Sequence, residues 1–320
     1  MGRYILRRIL ISIPVMIGIT MVTYLIVNLA PGDPISAMLN PETIASQGPD
    51  WVAQQKAALG LNDPLPIRYV LWLKQVAQGN LGFSYNDRLP VTGKIRERIW
   101  PTTKLMLTVE FIALLVAIPL GVISAVKQYS AIDYIATIFG FTAVSIPSFF
   151  LALAAIYLFS VKFGWLPAAG MGTIGSPSSL GDSAKHLVLP AMVLGLSQAA
   201  PLIRYTRSSM LETVRQDFMR TARAKGLSEV IVLYRHGLRN ALIPLITVVA
   251  LDLPKLLGGA VIIESVFAWP GMGTLAIEAV RSRDYPVIMA INLLSAVLIL
   301  VCNLLADVLY AFIDPRIKYS

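Results

Sequence analysis

The chain has 320 residues, of which 56% are hydrophobic and only 14% charged, against about 25% charged in an ordinary soluble domain. The apolar residues fall in long runs, so a water-soluble globule is excluded and membrane spans are expected. The net charge of +9 does not point to nucleic acid, because the basic residues sit mostly between the apolar runs, where membrane topology accounts for them.

Arg3, Arg7 and Arg8 precede the first apolar run, Ile9 to Ala30. A signal-peptide core is about 7–15 residues long. This run is long enough to span, so a retained first helix is expected. Five further candidate spans follow, at Leu105–Val126, Tyr134–Phe159, Leu187–Ile203, Ala241–Ile263 and Val287–Phe312. Only a helix or a closed barrel satisfies its backbone in lipid, and the alternation that marks barrel strands is missing from these runs. The expected fold class is an all-α integral membrane protein of six transmembrane helices. The fourth run is short and holds Pro190 and Pro201. It reads either as a tilted helix with ordinary kinks or as a broken segment facing a substrate path.

With the N-terminus inside, the inner segments hold fourteen Lys and Arg residues, while the two short outer loops hold four, Lys162, Lys185, Arg281 and Arg283. This bias places both termini in the cytoplasm. Residues 31–104 are long enough to cross regardless of charge. The expected organisation is therefore a cytoplasmic N-terminus with the first helix (1–30), a folded external segment (31–104) and a five-helix core (105–320) with a cytoplasmic loop at 204–240. In the external segment Leu65, Tyr69 and Leu73 fall at helical spacing. They predict a short amphipathic helix that either lies on the membrane surface or forms a platform for a partner.

The cytoplasmic loop is the most basic stretch. Met210, Val214, Phe218 and Ala222 recur every four residues and, with Leu211, predict one apolar helical stripe. Gly226 suits a left-handed C-terminal cap, and Ser228 can cap a second helix. The loop thus reads helix, sharp turn, helix, leading into the fifth span. Such an elbow either seats on a soluble partner or only enforces topology.

The motifs HExxH, GxSxG and GxxxxGK[ST] do not occur, so no catalytic or ATP-binding site is expected. His186 and His236 are expected in loops on opposite membrane faces, so no shared metal is expected. Cys302 has no second cysteine to pair with. Glu110, Asp252, Lys255 and Asp307 fall inside spans, where charge is costly and marks pathways. Asp252 and Lys255, at i and i+3, share a helix face. These groups either pair internally or snorkel, or Glu110, Asp252 and Lys255 line a polar conduit.

The stretch Thr221–Pro244, TARAKGLSEVIVLYRHGLRNALIP, resembles the EAA loop of ABC importer permeases. Ala222, Ala224, Gly226, Ile243 and Pro244 match that pattern. Thr221 stands where the name-giving glutamate often sits, a departure usual in the peptide branch, which tends to read RTARAKGL. RYILRRIL, NLAPGDP, LGLNDPLPIRY, GNLGFSY, SIPSFFLAL, FGWLPAAG and ESVFAWPGMGTL extend the similarity to the oligopeptide/dipeptide/nickel permease family over nearly the whole chain. The resemblance implies two permease subunits, usually different from each other, two ATPase subunits and an external substrate-binding protein. It implies that ATP and Mg²⁺ are bound by the ATPases, with no cofactor in this chain. It implies that Arg220, Thr221, Ala222, Arg223, Ala224, Lys225, Gly226 and Leu227 couple to the ATPases in a bacterial or archaeal inner membrane. Peptide is the first expectation for cargo. Nickel, glutathione and oligosaccharide are the alternatives within the family, and a channel or ion-coupled secondary transporter the alternatives outside it.

Overall fold

The computed structural model describes residues 2–29, 41–58, 60–175, 179–257 and 261–313, with side chains described for 6–29, 46–57, 60–175, 179–250 and 261–305. The elements are helices throughout: α1 Gly2–Leu29, α2 Pro41–Ala58, α3 Leu65–Ala77, α4 Val91–Val126, α5 Ala131–Ser145, α6 Ser148–Ala155, α7 Leu180–Val214, α8 Asp217–Ala224, α9 Glu229–Ile231, α10 Arg239–Leu257, α11 Val261–Val266, α12 Met272–Arg281 and α13 Tyr285–Ile313. Two π-helical stretches, Ile156–Lys162 and Val232–Leu238, extend α6 and join α9 to α10.

Among the described residues four helical stretches are long and apolar enough to cross a membrane: Leu6–Leu29, Val91–Val126, Leu180–Val214 and Tyr285–Leu305. The third expected span is not one straight helix. Ala131–Ser145 and Ser148–Lys162 meet at 101°, and together they make a fifth candidate. The cause is local, since Ile146 precedes Pro147, is held out of the α region, and takes φ −88°, ψ 126°. In the fourth run Pro190 and Pro201 do not break the helix; α7 continues through both for 35 residues. The expected fifth run is helical as Arg239–Leu257 and Val261–Val266, with 258–260 outside the described residues.

Two compact units are distinguishable, Met1–Trp100 with Gly271–Leu304, and Pro101–Pro270 with Leu305–Ser320. In the first unit α3 lies along α1. Tyr69 is the hinge of that contact, its hydroxyl donating to Ile17 O at 3.1 Å and pairing with Thr20 Oγ1 at 2.9 Å. Its ring and those of Tyr24 and Trp72 cluster beside it. Residues 80–91 form a tight hairpin-like loop, with Ser84 N bonded to Leu89 O and Val91 N to Gly82 O. Asp284 holds this loop from 200 residues away, accepting from Ser84 Oγ and, at 3.0 Å, from Tyr85 N. Val91 and Ile95 pack on Met272, Leu275, Ala279, Val287 and Ala290 beneath it.

The second unit is organised by the crossing of α4 and α7. Ala113, Ala117, Ala199, Leu202 and Ile203 are buried, while Leu107, Phe111 and Leu115 on α4 are exposed, the arrangement of one packed and one lipid-facing stripe. Two glycines set how closely the helices approach. A Cβ on Gly195 would stand 2.8 Å from Ile112 Cγ2, and one on Gly121 would stand 2.5 Å from Thr206 Cβ. The loop after α11 folds back into the same core. Trp269 is fully buried and donates from Nε1 to Pro101 O at 3.0 Å, and buried Glu264 accepts from Thr102 Oγ1 at 2.8 Å.

Candidate functional site

The segment after α7 is locally helix, turn, helix, with a phase different from the expected one. α7 ends at Val214, with Arg215 at its C-terminal boundary, and α8 restarts at Asp217 from an extended Gln216. This two-residue break rotates the apolar stripe. Met219 rather than Phe218 faces inward, at 0% exposure, while Phe218 is 41% exposed. Met219, Ala222 and Val232 form a small core with Val214 and Leu233. Met210 belongs to an adjoining cluster with Val122, Ala125 and Ala241. Gly237 leaves room where the two meet, since a Cβ there would lie 3.2 Å from Met219 Cε and 3.6 Å from Met210 Cε.

The turn is made by Gly226, at φ +75°, in the left-handed region that a Cβ penalises. Its N–H donates to Arg223 O at 2.9 Å. Nothing lies within 4 Å of where its Cβ would stand, so the demand for glycine is conformational rather than steric. Ser228 occupies the N-cap position of α9 as expected, but its side chain makes no capping bond. An ion pair does the fastening instead. Arg223 donates from Nε and Nη2 to the two oxygens of Glu229, at 3.1 and 2.8 Å. The Arg223 guanidinium holds the Glu229 carboxyl below its ordinary value, and its own pKa is raised in return. Of Arg220–Leu227 only Ala222 is buried; Arg220, Thr221, Arg223, Ala224, Lys225, Gly226 and Leu227 are exposed.

A second fastening near the elbow was not legible in the sequence. Asp133, 5% exposed, accepts from Arg207 Nε at 2.8 Å and Nη2 at 2.9 Å, from Tyr129 N at 3.0 Å, and from Ser124 Oγ. It ties the α4–α5 turn to the last turns of α7. Its one local signal is Ser130-x-x-Asp133, a capping-box spacing, and Ser130 Oγ does accept from Asp133 N at 3.4 Å.

Among the residues expected to line a conduit, Glu110 lies between α4 and α7 at 8% exposure, and accepts from Gln198 Nε2 at 2.6 Å. The side chains of Asp252, Lys255 and Asp307 lie outside the described residues. His186 is not in a loop but within α7, where Nδ1 meets Ala169 O at 3.0 Å; His236 is in the π-helical stretch. Among the described residues no cluster of metal-ligating side chains occurs.

This helical frame has known counterparts. The membrane protein of the MetNI methionine ABC transporter, in inward-facing form, superposes with a TM-score of 0.55 at 18% identity, over 69% of this chain and 96% of that one; the likeness is one of fold. The oligopeptide transport system permease protein AppB of Bacillus subtilis is 45% identical over the full length of both chains. The dipeptide transport system permease protein DppB of Alkalihalophilus pseudofirmus is 40% identical over 99% of each. Residues 117–319 match the family described as binding-protein-dependent transport system inner membrane component, and residues 1–107 match its N-terminal counterpart. The chain therefore belongs to the binding-protein-dependent transport system inner membrane components, the permease subunits of ABC importers, in which ATP is hydrolysed by separate subunits.

Proposed function

We propose that this chain is one membrane subunit of a bacterial peptide importer, working with a second, different permease, two ATPases that bind ATP and Mg²⁺, and an external binding protein. The observation that carries the cargo is the 45% identity, end to end, with a relative named for oligopeptide transport. Six spans with both termini in the cytoplasm agree with the charge bias of fourteen to four. Residues 31–104 then lie outside, where they receive the binding protein, and 204–240 lie inside as the coupling loop.

The elbow supplies the mechanical link. Phe218, Leu227, Val230 and Ile231 are exposed on a segment assigned to the aqueous side, which favours a seat on another protein. Arg220, Arg223 and Lys225 rim these apolar residues. Gly226 fixes the angle between α8 and α9, and the Arg223–Glu229 pair holds it. A movement of the ATPases therefore displaces α8 and α9 together. The Arg207–Asp133 pair passes the displacement from α7 to the α4–α5 turn, and the π-helical stretch passes it into α10. Glu110 with Gln198, and Asp252 and Lys255 on α10, provide polar positions inside the membrane for a zwitterionic cargo, held loosely enough to leave.

The test is uptake of a radiolabelled dipeptide into proteoliposomes carrying the purified complex, with binding protein outside and ATP inside. ATP-dependent accumulation is expected. An assembled complex that hydrolyses ATP but accumulates no peptide, and accumulates nickel or an oligosaccharide instead, sinks the peptide reading.

A further inference from the structure

We propose that the first unit contains a binding site for the α-carboxylate of a peptide, with Arg68 as the anion ligand. This rests on the peptide-import reading and specifies a place that cargo touches.

The site is a cavity of about 700 Å³, inside the range of about 300–1,000 Å³ that small-molecule pockets occupy. α3 contributes Arg68 and Trp72, the end of α1 contributes Tyr24 and Asn28, and the 80–91 loop contributes Tyr85. Arg68 donates from Nη2 to Asn28 Oδ1 at 2.8 Å. Asn28 is neutral, and Arg68 makes no ion pair among the described residues. A guanidinium has five N–H donors in a planar fork matched to a carboxylate. Most of that fork is unspent here, on the wall of a cavity large enough for a short peptide.

The remaining walls narrow the choice of anion. Asp63 lines the same cavity. Its carboxylate disfavours a multiply charged phosphate and suits an ammonium, so a zwitterion finds both signs. Trp72 and Tyr85 offer faces and edges to side chains of varied size. Burial pushes the Tyr85 phenol above its ordinary pKa, against the pull of Arg68, so it stays a neutral hydrogen-bond donor.

The experiment uses the assembled complex with Cys302→Ala and a reporter cysteine, Phe83→Cys, on a cavity-lining residue that is 58% exposed. Labelling by a membrane-impermeant thiol reagent is timed with trialanine, with trialanine C-terminal amide, and with inorganic phosphate. Trialanine should slow labelling while the amide and phosphate do not. Arg68→Gln should raise the concentration for half-protection by roughly tenfold or more, and Arg68→Lys, which keeps the charge but not the fork, by less. Equal protection by the amide or by phosphate, no protection by trialanine, or an unchanged response in Arg68→Gln overturns the proposal. If Arg68→Gln does not assemble, the acid–amide difference in the otherwise native complex together with Arg68→Lys decides. Dipeptide uptake is followed in parallel. Uptake without protection removes the cavity site and leaves peptide import standing; protection without uptake keeps the carboxylate site and removes the import reading.

Discussion

Arg223 and Glu229 meet across the turn at Gly226, joined by two hydrogen bonds of 2.8 and 3.1 Å. The turn is therefore set twice, by a backbone conformation that only glycine takes freely and by a fork that joins the last turn of α8 to the first residue of α9.

The backbone half of that arrangement predicts a split between side chains at position 226. With φ +75° and open space where a Cβ would go, Gly226→Val pays about 1–2 kcal/mol of conformational strain and no clash. The spans should insert normally, while the ATPases co-purify poorly or hydrolyse ATP without stimulation by loaded binding protein. Gly226→Asn, which visits the left-handed region more readily, should keep most coupling. Normal transport by Gly226→Val would mean that the elbow is not the coupling element.

The side-chain half predicts a pH dependence with a definite sign. Glu229 titrates lower in the folded chain than its ordinary 4.5. The pair is thus fully present above that ordinary value and is lost as pH falls through the lower folded one. Spin labels at Phe218 and Val230 should give a narrow distance distribution at neutral pH that broadens only at a pH below the ordinary 4.5. Glu229→Gln should be broad at every pH. A distribution that ignores both the acid and the substitution would show that the pair does not fasten the turn.

Asp133 and Arg207 make a more buried pair, with side chains 7% and 28% exposed. Removing one partner of a buried pair costs about 3–5 kcal/mol at full burial, and the exposure of Arg207 places Asp133→Asn toward the lower end. Arg207→Lys should lose coupling more than stability, because an ammonium keeps the charge but cannot span both oxygens. Thermal unfolding of the purified complex and peptide-stimulated ATP hydrolysis separate the two effects. Unchanged melting in Asp133→Asn would show the pair to be incidental.

The α4–α7 crossing gives a packing test. Gly195→Ala places a methyl 2.8 Å from Ile112 Cγ2, and such overpacking costs about 1–3 kcal/mol. Ile112→Ala in the same chain removes that atom but keeps the Ile112 Cβ, which stands 2.9 Å away, so it should recover only a small part of the loss. Accumulation and melting of the single and double variants measure it. Additive losses would place the defect elsewhere.

Four of the apolar runs and the turn at Gly226 were legible because each follows from neighbours in sequence. Apolar runs mark helices, and Gly226 between an amphipathic stretch and a serine marks a turn. What was not legible depended on breaks or on distance. The stripe through Phe218 assumed unbroken phase, and the stop between Val214 and Asp217 moved burial to Met219. The bend at Ile146–Pro147 was signalled by the proline but hidden inside a long, mostly apolar run. The contrary case is α7, where the two prolines left a kinked helix and a broken segment both open, and one helix runs through them. Asp133 with Arg207, and Asp284 with Ser84, join residues 74 and 200 positions apart, and nothing local announces a partner so far along the chain.

The continuity of α7 has a mechanical corollary. At about 1.5 Å per residue its 35 residues measure about 52 Å, well beyond the roughly 30 Å of hydrocarbon. A rod of that length pivoting by about 10° about its middle carries each end through about 4–5 Å, close to one helical turn's rise. Its last residues hold Arg207, and its first turn holds Asp182, which accepts from Thr173 N and Oγ1, each at 2.7 Å. The loop at 173 therefore shares in any tilt that begins at the opposite end.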